Sequence, residues 1–176
     1  MRVEKTNLDG VLVIKPEIFE DERGFFLESF NEDKYAKEGI EYNFVQDNHS
    51  RSSKGVLRGL HFQKTKPQGK LIRVVRGMVY DVAVDIRIDS PTYGQWESVI
   101  LSEENKTQFW IPPGFAHGFL VLSDIADFEY KCTDYYEPSD ERSLLWNDPD
   151  LNISWPIEDP KLSQKDKSAL LFADLK

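Results

Sequence analysis

The feature that most narrows the fold is a rhythm of short apolar runs broken by turn residues. The clearest instance is Lys70–Ile88, where KLIRVV, Gly77 and MVYDVAVDI follow one another. This pattern predicts a hairpin with Gly77 at its turn. In the second arm Met78, Tyr80, Val82, Val84 and Ile86 share one face. Asp81, Asp85 and Arg87 share the other with Val79 and Ala83, because side chains alternate along a strand. Further strands are expected at Val11–Ile14, Phe25–Phe30, Phe44–Asp47, Val56–Gln63, Trp96–Leu101, Gln108–Ile111, Gly118–Leu122 and Asp127–Thr133. Many short strands with turn signals between them predict an antiparallel sandwich or barrel.

Helices are few. Asn31–Glu38 opens on an N-cap Asn, carries acids in its first turn and meets Gly39 beyond its end, a helix with both termini marked. Ser163–Phe172 is a second candidate. Trp146–Pro160 reads as an irregular connection, and Ile111-Pro112-Pro113-Gly114 as a rigid turn. No repeat or composition shift divides the chain, so one domain over residues 1–176 is expected.

Charge limits the partners. The net charge of -9 argues against nucleic acid, whose binders carry a basic face. The start MRVEKTNLDG lacks an apolar core segment, and no run reaches the length of a membrane span. With the single cysteine, Cys132, this gives the expectation of a cytoplasmic protein without membrane contact. An anionic ligand would need cations gathered at one place.

The three histidines, His49, His61 and His117, form no His-x-His, which disfavours a metal site. His61 lies in GVLRGLHFQ with Arg58. Alone, it reads more readily as a satisfied interior histidine than as a base. Strict alternation would separate Arg58 and His61, so the intervening Gly59 is expected to carry a bulge that re-aims one of them. Lys70 follows a turn-like KPQG, and on a neighbouring strand its ammonium would stabilise an oxyanion. Tyr130 shares a face with Phe128 and Cys132; a buried Tyr either bonds backbone or serves as a general acid. Ser163-x-x-Asp166 is a capping-box pattern, and spacing alone favours the cap over a dyad with His61. Arg23 stands at a turn, Gln46 and Asn48 suit a turn or a polar ligand, and Tyr135-Tyr136 suits core or base stacking.

Taken in order, DERGFFLESF, QDNHSRSSKGVLRGLHFQ, GKLIRVVRGMVYDVAVDIR, SPTYGQW, WIPPGFAHGF, YKCTDYY and WNDPDLNISWP resemble the dTDP-4-dehydrorhamnose 3,5-epimerase family over nearly the whole chain. The resemblance implies a mainly β, cupin-type antiparallel jelly-roll barrel with a few short helices. It also implies a homodimer and no cofactor or metal. His61 matches the family's base, Asp166 its dyad partner, Tyr130 the general acid and Lys70 the lysine near the C4 oxygen. Arg23, Gln46, Asn48, Arg58 and His117 match positions that bind the nucleotide diphosphate and sugar. Glu28, Glu141 and Lys167 match further binding positions. Phe25 or Phe26 and Tyr136 match candidates for stacking on thymine. The resemblance also places part of the N-terminal segment, Arg23 included, at the partner subunit's site. The implied reaction is epimerisation at C3 and C5 of a dTDP-linked 4-keto-6-deoxy sugar. Its rivals are a single-site epimerase or ketoisomerase, a non-catalytic sugar-nucleotide-binding jelly roll, and a metal-dependent oxygenase.

Overall fold

A computed structural model describes residues 1–175. In chain order the strands are β1 (Arg2–Lys5), β2 (Leu12–Lys15), β3 (Ile18–Asp21), β4 (Gly24–Leu27), β5 (Gln46–Ser53), β6 (Leu57–Gln63) and β7 (Lys70–Arg76). Then follow β8 (Met78–Asp85), β9 (Trp96–Ser102), β10 (Gln108–Ile111), β11 (Phe115–Val121), β12 (Ile125–Cys132) and β13 (Glu141–Ser143). Helix α1 (Glu32–Ala36) lies between β4 and β5; α2 (Gln164–Lys167) and a 3-10 turn, Phe172–Asp174, end the described chain.

Two antiparallel sheets face each other. One runs β1-β2-β10-β7-β12-β5 and the other β13-β6-β11-β8-β9, while β3 and β4 pair as a separate two-stranded arm. This is the expected jelly roll. The inner faces meet in a core of Ile72, Val74, Val79, Ala83, Leu101, Phe109, Phe119 and Phe128, with the Phe119 and Phe128 rings stacked at 4.0 Å. A second cluster, Leu60, Phe62, Val82, Val84, Leu144, Leu151 and Ile153, covers the outer face of the β6-β11-β8 sheet. β8 therefore buries apolar side chains on both faces, with Asp81 and Asp85 buried among them.

The expected Lys70–Ile88 hairpin does not form. β7 and β8 lie in opposite sheets, and the chain crosses between them at Gly77, with φ +78 and no room for a Cβ beside the Ile125 carbonyl. A one-residue connection cannot turn a hairpin, whose tightest loops hold two residues, but it can carry a strand round a barrel corner. Other expectations shift at their ends. The strand placed at Phe25–Phe30 stops at Leu27, and the one placed at Phe44–Asp47 begins at Gln46 and runs on to Ser53. The expected Ser163–Phe172 helix is only the turn Gln164–Lys167, because Leu170 leaves it to exchange backbone bonds with Ser143 and Leu145. Helix α1 keeps its expected caps: Asn31 accepts from the Lys34 N–H, and Gly39 has φ +91.

Candidate active site

The expected bulge exists on β6. His117 of β11 pairs with His61 and Phe119 with Arg58, so Gly59 and Leu60 together oppose Gly118. Gly59 has φ +114, its peptide to Leu60 is cis, and a Cβ there would stand 2.6 Å from Gly118 Cα. The extra residue restores Arg58 and His61 to the same, inner face.

His61 then lines a cavity with Phe62, Gln63, Gln68, Lys70, Phe115, Tyr130, Tyr136 and Glu141. His61 comes from one sheet, and Lys70 and Tyr130 from the sheet opposite. Its Nε2 lies 2.6 Å from Asp166 Oδ1. A carboxylate only accepts, so Nε2 carries the ring proton and Nδ1 holds the lone pair. Nδ1 lies 4.0 Å from Glu141 Oε1. Asp166 Oδ2 in turn accepts from the Ser163 hydroxyl, which accepts from the Asp166 N–H. Asp166 is thus both the hydrogen-bond partner of His61 and part of the helix cap. Burial raises its pKa, but the bond from His61 and the charges around it outweigh that and hold the carboxyl below its usual range.

Lys70 is the first residue of β7, directly opposite Cys132 of β12. Burial pulls its pKa below the ordinary lysine range. Its Nζ stands 6.0 Å from the Tyr130 ring centroid. Burial pushes the Tyr130 phenol up to about 12, so it keeps its proton at any physiological pH. A protonated phenol and a desolvated Lys70 thus line one cavity with a histidine whose Nδ1 lone pair is free.

The rim is polar. Arg58 Nε donates to Ser52 Oγ at 3.0 Å, and its exposed guanidinium keeps donors free. Gln46 Nε2 donates to Asn48 Oδ1, and Asn48 Nδ2 to Cys132 Sγ. Tyr136 donates its hydroxyl to Glu141 Oε2 at 2.8 Å, and Lys165 donates to the same oxygen at 2.7 Å. Behind this wall His117 is buried, its Nε2 bonded to Asp81 Oδ1 and Oδ2 at 3.0 and 3.1 Å. Burial pushes its pKa down against the pull of Asp81.

Three groups of expected residues separate. His61, Lys70, Tyr130, Asp166, Glu141 and Tyr136 converge, with Gln46, Asn48, Arg58 and His117 around them. Arg23, Phe25 and Phe26 lie on the β3–β4 arm, where Arg23 pairs with Asp21 and the two rings are largely exposed. Glu28 pairs with Lys34. None of these four lines the cavity. Lys167 is exposed and makes no side-chain bond to the site among the described residues; Lys165, two positions earlier, reaches it instead. The single turn of α2 decides which lysine faces Glu141, and spacing did not reveal it. Asp81 was also missed, although its place beside Val79 and Ala83 on the inner face of β8 was a signal.

Among the described residues no three His, Cys, Asp or Glu side chains gather to hold a metal ion, and no helix is long and apolar enough to cross a membrane.

Comparison with known proteins places this geometry. The family model described as dTDP-4-dehydrorhamnose 3,5-epimerase matches residues 5–174. The chain is 56% identical to the dTDP-4-dehydrorhamnose 3,5-epimerase of Salmonella typhimurium over 98% of this chain and 96% of that protein. It is similar, with a TM-score of 0.97 and 56% identity over 99% of this chain and 94% of the other, to the crystal structure of a dTDP-6-deoxy-D-glucose-3,5-epimerase from Legionella pneumophila Philadelphia 1 in complex with dTDP-4-keto-L-rhamnose. A dTDP-4-dehydrorhamnose 3,5-epimerase from Bacillus anthracis, solved with TDP and PPi bound, matches at a TM-score of 0.95 and 46% identity, covering 97% of this chain and 98% of that one.

Proposed function

The chain belongs to the dTDP-4-dehydrorhamnose 3,5-epimerase family, and from that premise we propose how its residues perform the reaction. It is an isomerase that converts dTDP-4-dehydro-6-deoxyglucose to dTDP-4-dehydro-L-rhamnose in dTDP-L-rhamnose biosynthesis. C3 and C5 flank the C4 ketone, so their protons are acidified. His61 Nδ1 removes one, and Asp166 holds the ring in the tautomer that leaves this atom free. Charge develops on the C4 oxygen, where the Lys70 ammonium offsets it; desolvation strengthens that pairing. Tyr130 returns a proton from the opposite face, which inverts the carbon; His61 then releases its proton to water and the tyrosinate regains one from water. Repetition at the second carbon completes the epimerisation. Arg58, Gln46, Asn48 and Lys165 hold the diphosphate and sugar at the rim, His117 supports the sugar from beneath, and Tyr136 stacks on the base.

The observation that carries this reading is the placement of His61 and Tyr130 on opposite sheets of one cavity with Lys70 beside the tyrosine. Proton removal and return on opposite faces need that arrangement.

The working unit is a homodimer. The β3–β4 arm pairs only with itself among the described residues and exposes Phe19, Phe25 and Phe26 by 55 to 68%. Such a hairpin is marginal alone in water. Delivered to a second copy, it would bring Arg23, Glu28 and a phenylalanine to the partner's cavity. The free, buried thiol of Cys132 suits a reducing, cytoplasmic setting.

The test is incubation with dTDP-4-keto-6-deoxyglucose in deuterated water. Deuterium at both C3 and C5 is expected. Label at one carbon only would contradict double epimerisation, and none would contradict the reaction. Tyr130→Phe should still exchange label at a reduced rate but invert poorly.

A further inference from the structure

Two loops wall the cavity, and each joins two of its functional strands. Residues 64–69 connect β6, with His61, to β7, with Lys70. Residues 133–140 connect β12, with Tyr130, to β13, with Glu141, and carry Tyr136. Loops with this much exposed backbone are ordinarily mobile. Here two buried polar side chains outside the proposed chemistry tie them together.

Gln63 is 5% exposed. Its Nε2 donates to Lys66 O at 2.7 Å and Tyr135 O at 3.2 Å, and its Oε1 accepts from Glu137 N at 2.7 Å. One amide thus grips the backbone on both sides of Tyr136 and on the facing loop. Asp140 is 8% exposed. Its carboxylate accepts from Thr65 N, Thr65 Oγ1 and Lys66 N, all at 2.8 to 3.0 Å. The network is closed: Asp140 holds Thr65 and Lys66, Lys66 holds Gln63, and Gln63 holds the peptides flanking Tyr136. A satisfied buried network of this kind rigidifies what it joins.

We propose that Gln63 and Asp140 are positioning residues that fix the Tyr136 loop in its binding geometry and so set affinity for the nucleotide half of the substrate. This rests on the functional reading above, in which Tyr136 stacks on the base. The His61–Asp166 pair lies on β6 and α2, outside both loops. Loosening the clamp should therefore weaken binding and leave proton transfer nearly intact.

Gln63→Met keeps the volume and removes every hydrogen bond. Asp140→Asn puts an amide donor among N–H donors. Each should raise KM for the dTDP-sugar, and the Kd for dTDP as probe, roughly tenfold, the factor that about 1.4 kcal/mol represents. In each, kcat should stay within about threefold. Because the two act through one loop, the double variant should show less than the product of the single effects. Thr65→Val, which removes a single donor to Asp140, should give a smaller rise and keeps the test open if either larger change prevents folding. Unchanged KM and Kd in the folded variants, or a fall in kcat with KM unchanged, would overturn the clamp. A fully multiplicative double variant would also overturn it. Wild-type protein that neither binds dTDP nor exchanges deuterium would instead overturn the functional reading itself.

Discussion

Two histidine–aspartate pairs stand side by side on the same sheet and are built for different work. His61 and His117 are cross-strand partners, each with Nε2 on a carboxylate. The His61 side chain is 25% exposed, and its Asp166 comes from a helical turn far along the chain. His117 and Asp81 are almost wholly buried on strands of the core, and the His117 ring stacks near Phe119 and Phe128. Burial drives the His117 pKa down despite Asp81. The difference teaches that a His–Asp dyad is not in itself a base. On the proposed reading, His61 is suited to proton abstraction by an open lone pair at the cavity, whereas the same pairing sunk into the core gives a fixed ring with no such opening.

The sharpest way to break this contrast is Asp166→Asn. An amide facing Nε2 would favour the proton on Nδ1, the proposed base atom, so kcat should fall on the order of 10⁴-fold while dTDP affinity changes little. Steady-state kinetics check it; a loss under threefold would make Asp166 only a cap. Asp81→Asn should act mainly through structure and binding. It disturbs a buried bond and is expected to cost roughly 1–3 kcal/mol in urea unfolding, with a loss in kcat/KM of about tenfold, carried by KM.

The smallest effect concerns pH. His117 has a folded pKa below its unfolded value, near about 6.5. Above that pH both states are neutral and its contribution is flat. As pH falls below it, the unfolded chain binds the proton first, so stability is lost at up to roughly 1.4 kcal/mol per unit until the folded pKa is reached. The groups facing His117 are Asp81, which pulls the other way, with Lys70 and His61. In His117→Asn the slope of unfolding free energy against pH just below about 6.5 should be shallower than in the wild type.

Much of this contrast was legible in the sequence where local rules act. The bulge at Gly59 followed from alternation set against the need to bring Arg58 and His61 together. Ser163 and Asp166 announced a cap. The sheet switch at Gly77 was not legible, because two alternating runs look the same whether they pair with each other or face each other across a core. Lys165 and Lys167 could not be told apart, since one turn of helix sets its phase by its tertiary bonds. Asp81 read as one polar residue on a strand face, and only the register of β8 on β11 placed it against His117. The arm residues Arg23, Phe25 and Phe26, and Glu28 just beyond the arm, do not line their own cavity, a placement no local pattern encodes.

The most direct measurement compares His61→Asn with His117→Asn for deuterium uptake into the sugar. The account expects uptake at C3 and C5 to be abolished in His61→Asn while dTDP still binds, and to persist in His117→Asn with a raised KM. Uptake that survives in His61→Asn and vanishes in His117→Asn would assign the base to the buried ring and contradict it.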